Sequence, residues 1–327
     1  MKTLKRILLI LVILVLVAGG FVAGILTGFR YGELSNLPFV AGGEWSIGIY
    51  TGQTPFKLSP AEGISNPVLV PDDVTDMPAR QLADPFMVRE NNTWYMFFEV
   101  VHARTNQGNL GYAVSEDGLH WQYQKIVIDE PFHMSYPCVF KWQGGYYMIP
   151  ETNEANAVLL YKAEAFPSKW QRDRQLIDRG GVDPTFFVHN DTCWMFLGSR
   201  NRASLMLYYA PDLLGPWTEH PMSPLIDGDR NTAGPAGRVL SYDGKLYRFA
   251  MDCDPDYGNA VRVFEINELT SAAYRETEIP ESPILSGTGE GWNARRMHQV
   301  DAYQIENGSW LVCVDGWDKV LQVGLKY

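Results

Sequence analysis

The sequence has no Cys-x-x-Cys pair, no basic cluster outside its first residues and no long run of like charge. Its four cysteines, Cys138, Cys193, Cys253 and Cys313, fall singly in or beside predicted strands of different repeats. That spacing offers no zinc site and suits thiols packed as small hydrophobes. An oxidising compartment would allow a disulfide, with its pairing left open. Lysine and arginine total 27 against 38 aspartates and glutamates, a net charge of −11. A nucleic-acid partner demands a basic face and is excluded. The acidic residues are scattered and read first as solvated surface. No Ser/Gly linker, charge block or helical heptad interrupts the chain beyond Pro38, so no second globular domain is expected.

The longest uncharged stretch lies near the N-terminus. Lys2, Lys5 and Arg6 precede an uncharged run from Ile7 to Phe29, long enough for the about 20 apolar residues that cross a bilayer as a helix. A cleaved secretory signal has a shorter apolar core, of about 7–15 residues, although Ala18-Gly19-Gly20 has the small residues of a cleavage site. The length favours an uncleaved signal anchor. The basic cluster then places the N-terminus in the cytoplasm and everything after Tyr31 in a periplasm, a lumen or the extracellular space. The expected organisation is a cytoplasmic stub and transmembrane helix over 1–30, a tether over 31–43 and one β-domain over 44–327.

What is present is a repeat. Five times a strand opens at a loop, turns, and returns as an aromatic-rich strand ending near a polar residue. The copies run from Asp84-Pro85-Phe86 to Glu99, Tyr136-Pro137-Cys138 to Glu151, and Asp183-Pro184-Thr185 to Ser199, then Gly234-Pro235-Ala236 to Asp252 and Gln299-Val300-Asp301 to Asp315. A period of roughly 50 residues built of strands and turns indicates a radial β-propeller, here with five blades. The returning strands, such as Trp94 to Phe98 and Cys193 to Leu197, are nearly continuous apolar runs, as befits strands covered on both faces. Asp243-Gly244 and Asn307-Gly308 supply the φ > 0 residues of tight hairpins, and a proline after the opening Asp fits a strand's first residues, where no ladder donor is needed.

Outer strands follow each pair. Three of them lead through a turn to Trp121, Trp170 and Trp217, a packing motif without catalytic meaning. Trp45 to Tyr50 is an extra strand, and the last copy has room for three, ending over Leu321 to Leu325. The early strand is expected to supply the fourth, closing the ring and removing an exposed sheet edge.

Asp84-Pro85, Ser115-x-Asp117-Gly118-x-x-Trp121 and Asp183-Pro184 resemble the five-bladed propellers of family-43 glycoside hydrolases. Trp45 to Tyr50, Asn66 to Leu69, Ala83 to Phe86, Tyr136-Pro137 with Met148 to Glu151, and Gly234 to Arg238 are similar to the N-terminal module of plant glucosamine inositolphosphorylceramide transferases and its stand-alone bacterial relatives. The resemblance covers roughly Glu44 to Tyr327. It implies a propeller fold and carbohydrate chemistry. The plant enzymes carry a separate C-terminal glycosyltransferase domain that has no counterpart up to Tyr327, so their transfer activity is not expected to carry over. The hydrolase resemblance puts a general base at Asp84 and an orienting carboxylate at Asp183. Its general acid, a Glu at the mouth of the fourth blade, has no counterpart in Thr232 to Gly237.

In an up-and-down pair, the start of the first strand and the end of the second share one end, so the repeat termini converge on a central pocket. Asp84, Glu99, Glu151, Asp183, Asp252 and Asp301 form the expected ring, and glycosidic chemistry needs two such carboxylates. Glu151, after Ile149 and Pro150, is the expected replacement acid, since burial raises a carboxyl pKa. Asp84, Glu151 and Asp183 are thus the candidate catalytic residues. Glu99, Arg238, Asp252, His298 and Asp301 are the candidate substrate ligands, with Arg238, His298, Arg295 and Arg296 as counter-charges. Each has a plainer reading: Asp before Pro also caps turns, a strand-end Glu also makes salt bridges, and a buried His is commonly a satisfied core residue. Met251 to Asp256 reads equally as a solvated loop or a weak calcium site. Asn91, Asn190 and Asn307 begin N-glycosylation patterns on predicted turns, informative only in a eukaryotic host. Nothing calls for a cofactor. The expected partner is a glycan or glycolipid; a non-catalytic glycan-binding module and a scaffold for a protein partner are the alternatives.

Overall fold

The computed structural model describes residues 40–322. The expected anchor at 7–29 lies outside them; among the described residues no helix is long and apolar enough to cross a membrane. Residues Glu44–Asp318 form one compact unit of five antiparallel sheets, the five-bladed propeller that the repeats predict.

Blade 1 runs Ala79–Glu90, Thr93–His102, Gly108–Ser115 and Gln122–Ile128; blade 2 runs Ser135–Trp142, Gly145–Glu151, Val158–Ala165 and Lys169–Ile177. Blade 3 is built on Val182–His189, Thr192–Gly198 and Ser204–Ala210, and blade 4 on Lys245–Asp252 and Ala260–Leu269 with short edge strands. Burial falls outward across a blade. Thr192–Gly198 is buried at every position but its first, whereas the outer Lys169–Ile177 is mostly exposed. Inner strands sit between neighbouring blades and must be apolar on both faces; outer ones meet water on one. Tight hairpins join the strand pairs, with left-handed residues at Gln143-Gly144, Asn190-Asp191 and Asp243-Gly244.

Two expectations are corrected. Blade 5 closes with two strands from each end: Val300–Gln304 and Trp310–Gln322 pair with Val40–Thr54 and Lys57–Pro60. The C-terminal segment is one long strand where two were expected, and the early strand begins at Val40, inside the expected tether. Asn66 extends this blade by amide mimicry. Its Oδ1 accepts from the Ile49 N–H at 2.8 Å and its Nδ2 donates to the Ile49 carbonyl at 2.9 Å.

The Asp-Pro pairs also sit differently. In blade 1 the strand starts at Ala79, five positions before Asp84, and register slips between Ala83 and Phe86. The same slip occurs between Ser135 and Cys138 and between Val182 and Thr185. Asp84, Tyr136 and Asp183 all take left-handed φ, at 54°, 47° and 54°. Each X-Pro pair is therefore a β-bulge, which accommodates a residue without an N–H and re-aims the one before it. The turn-to-Trp motif is self-contained: the indoles of Trp121, Trp170 and Trp217 donate to the carbonyls of Gly118, Pro167 and Leu213 at 3.0, 2.7 and 3.1 Å.

Candidate functional site

The three bulges lie at one end of the central axis and fill it with polar groups. Asp315, fully buried near the end of the last repeat, is the hub. Its Oδ1 accepts the backbone amides of His298 and Gln299 and the ring Nδ1–H of His298, and its Oδ2 accepts the amide of Asp84, all at 2.9–3.1 Å. The other ring nitrogen of His298 faces Asp84 Oδ1 at 3.2 Å, and the amide of Tyr136 donates to Asp84 Oδ2 at 3.1 Å. Burial alone would strip the proton from His298, but Asp315 and Asp84 outweigh it and push the imidazole up to about 10. Trp45 and Tyr257 pack on the ring, with centroids 4.2 and 5.2 Å away. Asp84, His298 and Asp315 also place ligand atoms close enough to hold a metal ion, yet both imidazole nitrogens already donate to carboxylates.

Above Asp84 opens a polar cavity of about 370 Å³. Its walls include the ends of consecutive second strands: Glu99 in blade 1, opposite Ala83, and Glu151 in blade 2, opposite Ser135. Both carboxylates are buried. Glu151 lies beside Asp183, which is 2 % exposed. Burial raises Glu151 well above the ordinary carboxyl range and the Asp183 charge adds to this, against the pull of Arg202. Burial raises Asp183 too, but the hydrogen bond from Glu151 works the other way. Arg202, nearer to Asp183 than to Glu151, favours the negative charge on Asp183 and a proton on Glu151. Ser135 Oγ supplies a further contact at 3.3 Å.

Arg202 completes the wall. Its guanidinium lies 4.9 Å over the Tyr257 ring, 3.5 Å from Asp183 Oδ2 and 3.9 Å from Glu151 Oε2. It sits at φ 55° in a loop tied down by Ser199 and Asn201, whose side chains bond one another at 2.7 Å and accept the amides of Ser204 and Ala203. Such strain persists only when the surroundings hold it, and it gathers at functional sites.

Of the candidates named from sequence, Asp84, Glu99 and Glu151 line the cavity, with Asp183 and His298 directly behind. Arg238, Asp301 and Asp252 do not reach it. Arg238 donates to Asp301 Oδ1 at 2.9 Å, to the Val139 carbonyl at 2.8 Å and to the Met87 carbonyl at 3.3 Å, while Asp301 Oδ2 accepts the Met87 amide at 2.7 Å. This pair clamps four blades together. The turn that delivers Arg238 needs Gly237, where a Cβ would lie 1.9 Å from the Val300 carbonyl oxygen. Asp252 is taken by Arg262 at 2.8 Å within blade 4. Arg295 and Arg296 face Asp318 and Asp256 at 3.7 and 3.5 Å. Arg202, His133 and Tyr257 carry no repeat-level signal because they lie on connecting segments; Asp315 was visible only as a repeat terminus. All four cysteines are buried free thiols.

Comparison with known proteins agrees with this architecture. The family model described as "Glucosamine inositolphosphorylceramide transferase 1, N-terminal" matches residues 40–317, and the chain belongs to that family. Proteins named glucosamine inositolphosphorylceramide transferase 1 are similar to it in Arabidopsis thaliana, at 36 % identity over 84 % of this chain and 39 % of theirs. In Oryza sativa subsp. japonica the figures are 33 %, 92 % and 44 %. The chain thus spans about two fifths of the length of these curated relatives. Among solved structures, Zg3597, a family 117 glycoside hydrolase of Zobellia galactanivorans, superposes with a TM-score of 0.51 at 12 % identity, covering 86 % of this chain and 92 % of its own. An α-L-arabinanase of Cellvibrio cellulosa gives 0.53 at 16 %, covering 73 % and 91 %. At these identities the likeness is one of fold.

The raised His298 pKa has a defined sign. A histidine held above its unfolded value of 6.5 contributes stability that is fully present below that pH and lost as pH rises through about 10. The stability advantage of the parent chain over His298→Asn should therefore shrink between these limits, by on the order of 5 kcal/mol at about 1.4 kcal/mol per pH unit. Urea unfolding of both proteins across that range checks this. Parallel stability curves would show that His298 is neutral in the fold.

Proposed function

We propose, with membership of this family as the premise, that the chain is a membrane-anchored enzyme that cleaves or transfers a glycosidic bond of a glycan or glycolipid in the carboxylate-lined cavity. One observation carries the reading: Glu151 is buried against Asp183, which raises its pKa, in the same cavity as Asp84, whose Oδ1 lies 3.2 Å from His298 Nε2, so that Glu151 is assigned as the acid and Asp84 as the carboxylate. Glycosidic chemistry asks for such a division, one carboxyl retaining its proton and another remaining ionised. In this reading Glu151 gives its proton to the departing oxygen as the anomeric C–O bond breaks, and the bonding pair stays with that oxygen. Asp84 stabilises the positive charge growing on the sugar ring. Attack by water makes the event hydrolysis; attack by a sugar hydroxyl makes it transfer.

The reading of a glycan-binding module without turnover has its own support. Both Asp84 oxygens already take a hydrogen bond or ion pair, and the blade-4 mouth around Gly234–Pro235 carries no carboxylate. The named plant relatives favour a sugar-bearing lipid among the substrates, consistent with an anchor that keeps the cavity near a bilayer.

The two readings separate on leaving-group chemistry. Glu151→Gln keeps the shape of the side chain and removes its transferable proton. Turnover of an alkyl glycoside should fall by about 10²-fold or more, while a p-nitrophenyl glycoside, whose leaving group needs no proton, should be affected far less. Equal losses on both substrates would make Glu151 a structural carboxylate. Undiminished sugar binding with no turnover of either substrate by the parent chain would establish the binding module.

Anchoring follows from the charge asymmetry about 7–29. In sealed vesicles with their cytoplasmic face outward, the propeller should resist added protease until detergent opens them. Digestion without detergent would reverse the orientation, and a mature chain beginning near Gly20 would make the segment a cleaved signal.

A further inference from the structure

We propose that Glu99, oriented by His133, is the general base of this site, the group that takes the proton of the attacking water or hydroxyl. The inference rests on the reading above and assigns the one step that it leaves without an acceptor. Asp84 is poorly placed to accept that proton, since each of its oxygens is engaged, one by the Tyr136 amide and one by His298. Glu99 is engaged on one side only. Its Oε1 lies 3.0 Å from His133 Nε2, while Oε2 takes no hydrogen bond from any described residue and is not among the buried orphan atoms. Since Glu99 lines the cavity, Oε2 is the oxygen open to it.

The geometry also settles which way His133 works. The amide of Gly108 donates to His133 Nδ1 at 2.9 Å, so that nitrogen is an acceptor and the ring proton sits on Nε2, facing Glu99. Burial and the Gly108 amide both oppose a second ring proton. Glu99, Glu151 and Glu154 pull the other way, toward about 9. The amide prevails, because protonating Nδ1 would set two N–H groups head to head at 2.9 Å. A neutral imidazole is thus locked as a one-way donor, and it keeps Glu99 an acceptor against the burial that raises its pKa. The lock is tight: a Cβ on Gly108 would lie 2.6 Å from Glu99 Oε1 and 2.3 Å from the Met134 carbonyl oxygen. The His133 amide in turn donates to Glu154 at 2.8 Å, fixing the ring's backbone.

In the step, a lone pair of the incoming oxygen forms the bond to the anomeric carbon as its proton passes to Glu99 Oε2. The anomeric C–O bond breaks onto the leaving oxygen, which is protonated by Glu151. Afterwards Glu99 releases a proton and Glu151 regains one through solvent. Glu99 and Glu151 occupy equivalent register positions in neighbouring blades, each opposite the residue that precedes the bulge, so one cavity holds a base and an acid made from the same repeat position.

Two measurements on the full chain in detergent test this. In ¹⁵N-histidine spectra, assigned with His133→Gln, His133 should be neutral at pH 7 with its proton on Nε2. An imidazolium or an Nδ1–H tautomer would overturn the lock. With p-nitrophenyl glycosides as the probe, Glu99→Gln should lower kcat/KM by about 10²-fold or more, whereas Glu151→Gln should be mild on the same probe. His133→Leu should move the acid limb of the pH profile upward by about one unit, the worth of one charge-assisted hydrogen bond. His133→Gln, which can still donate, should restore it. Full activity of Glu99→Gln in an otherwise active chain overturns the base but leaves the Glu151 reading standing. An unmoved limb in His133→Leu overturns the positioning role. No turnover of any probe by the parent chain overturns both readings together.

Discussion

The contact on which both fold and site depend is the buried chain Asp315–His298–Asp84. It joins the last repeat to the first, across the seam where the ring closes. Asp315 alone accepts four hydrogen bonds there, three from blade 5 and one from blade 1. Buried charges are costly unless paired and hydrogen-bonded, and here every member of the chain is. The same contact shapes the chemistry at the axis, because it sets a histidine with a raised pKa against Asp84 at the cavity floor.

The other end of the axis is closed by a different device. Arg238 and Asp301 reach carbonyls and amides of blades 1 and 2 from blades 4 and 5, and Tyr136 spans the middle, its hydroxyl meeting Thr185 at 2.7 Å and accepting the Gly237 amide at 2.9 Å. At the mouth of the polar axis stand Glu99 and Glu151, facing His133 and Arg202. There, burial and the neighbouring Asp183 charge raise Glu151, while burial raises Glu99 against the hydrogen bond from His133. Differences in pKa among like groups are thus imposed by neighbours, and they are what an acid and a base require.

The blade count and the inner hairpins were legible in the sequence because strands buried on both faces must be continuously apolar and tight hairpins demand left-handed residues. The closure was half legible. Lys57–Pro60 is short and mostly exposed, without the alternation that marks a strand, so its pairing is dictated by the edge it covers. Asp84, Glu99 and Glu151 could be found because each stands at the opening or the close of a repeat. Arg238, Asp252 and Asp301 had the same positional signal, but each is consumed by a partner that only the fold reveals. Arg202, His133 and Tyr257 stand on loops, where no period operates; their roles arise from a strained turn, a backbone amide and ring packing.

For the proposed chemistry, Glu151 must hold its proton at neutral pH. Isotope-edited infrared spectroscopy of the carboxyl carbonyls measures this directly. At pH 7 a protonated-carboxyl band should be present, disappear in Glu151→Gln and persist in Asp84→Asn and Glu99→Gln. Absence of that band from the parent chain, or its survival in Glu151→Gln, would contradict it.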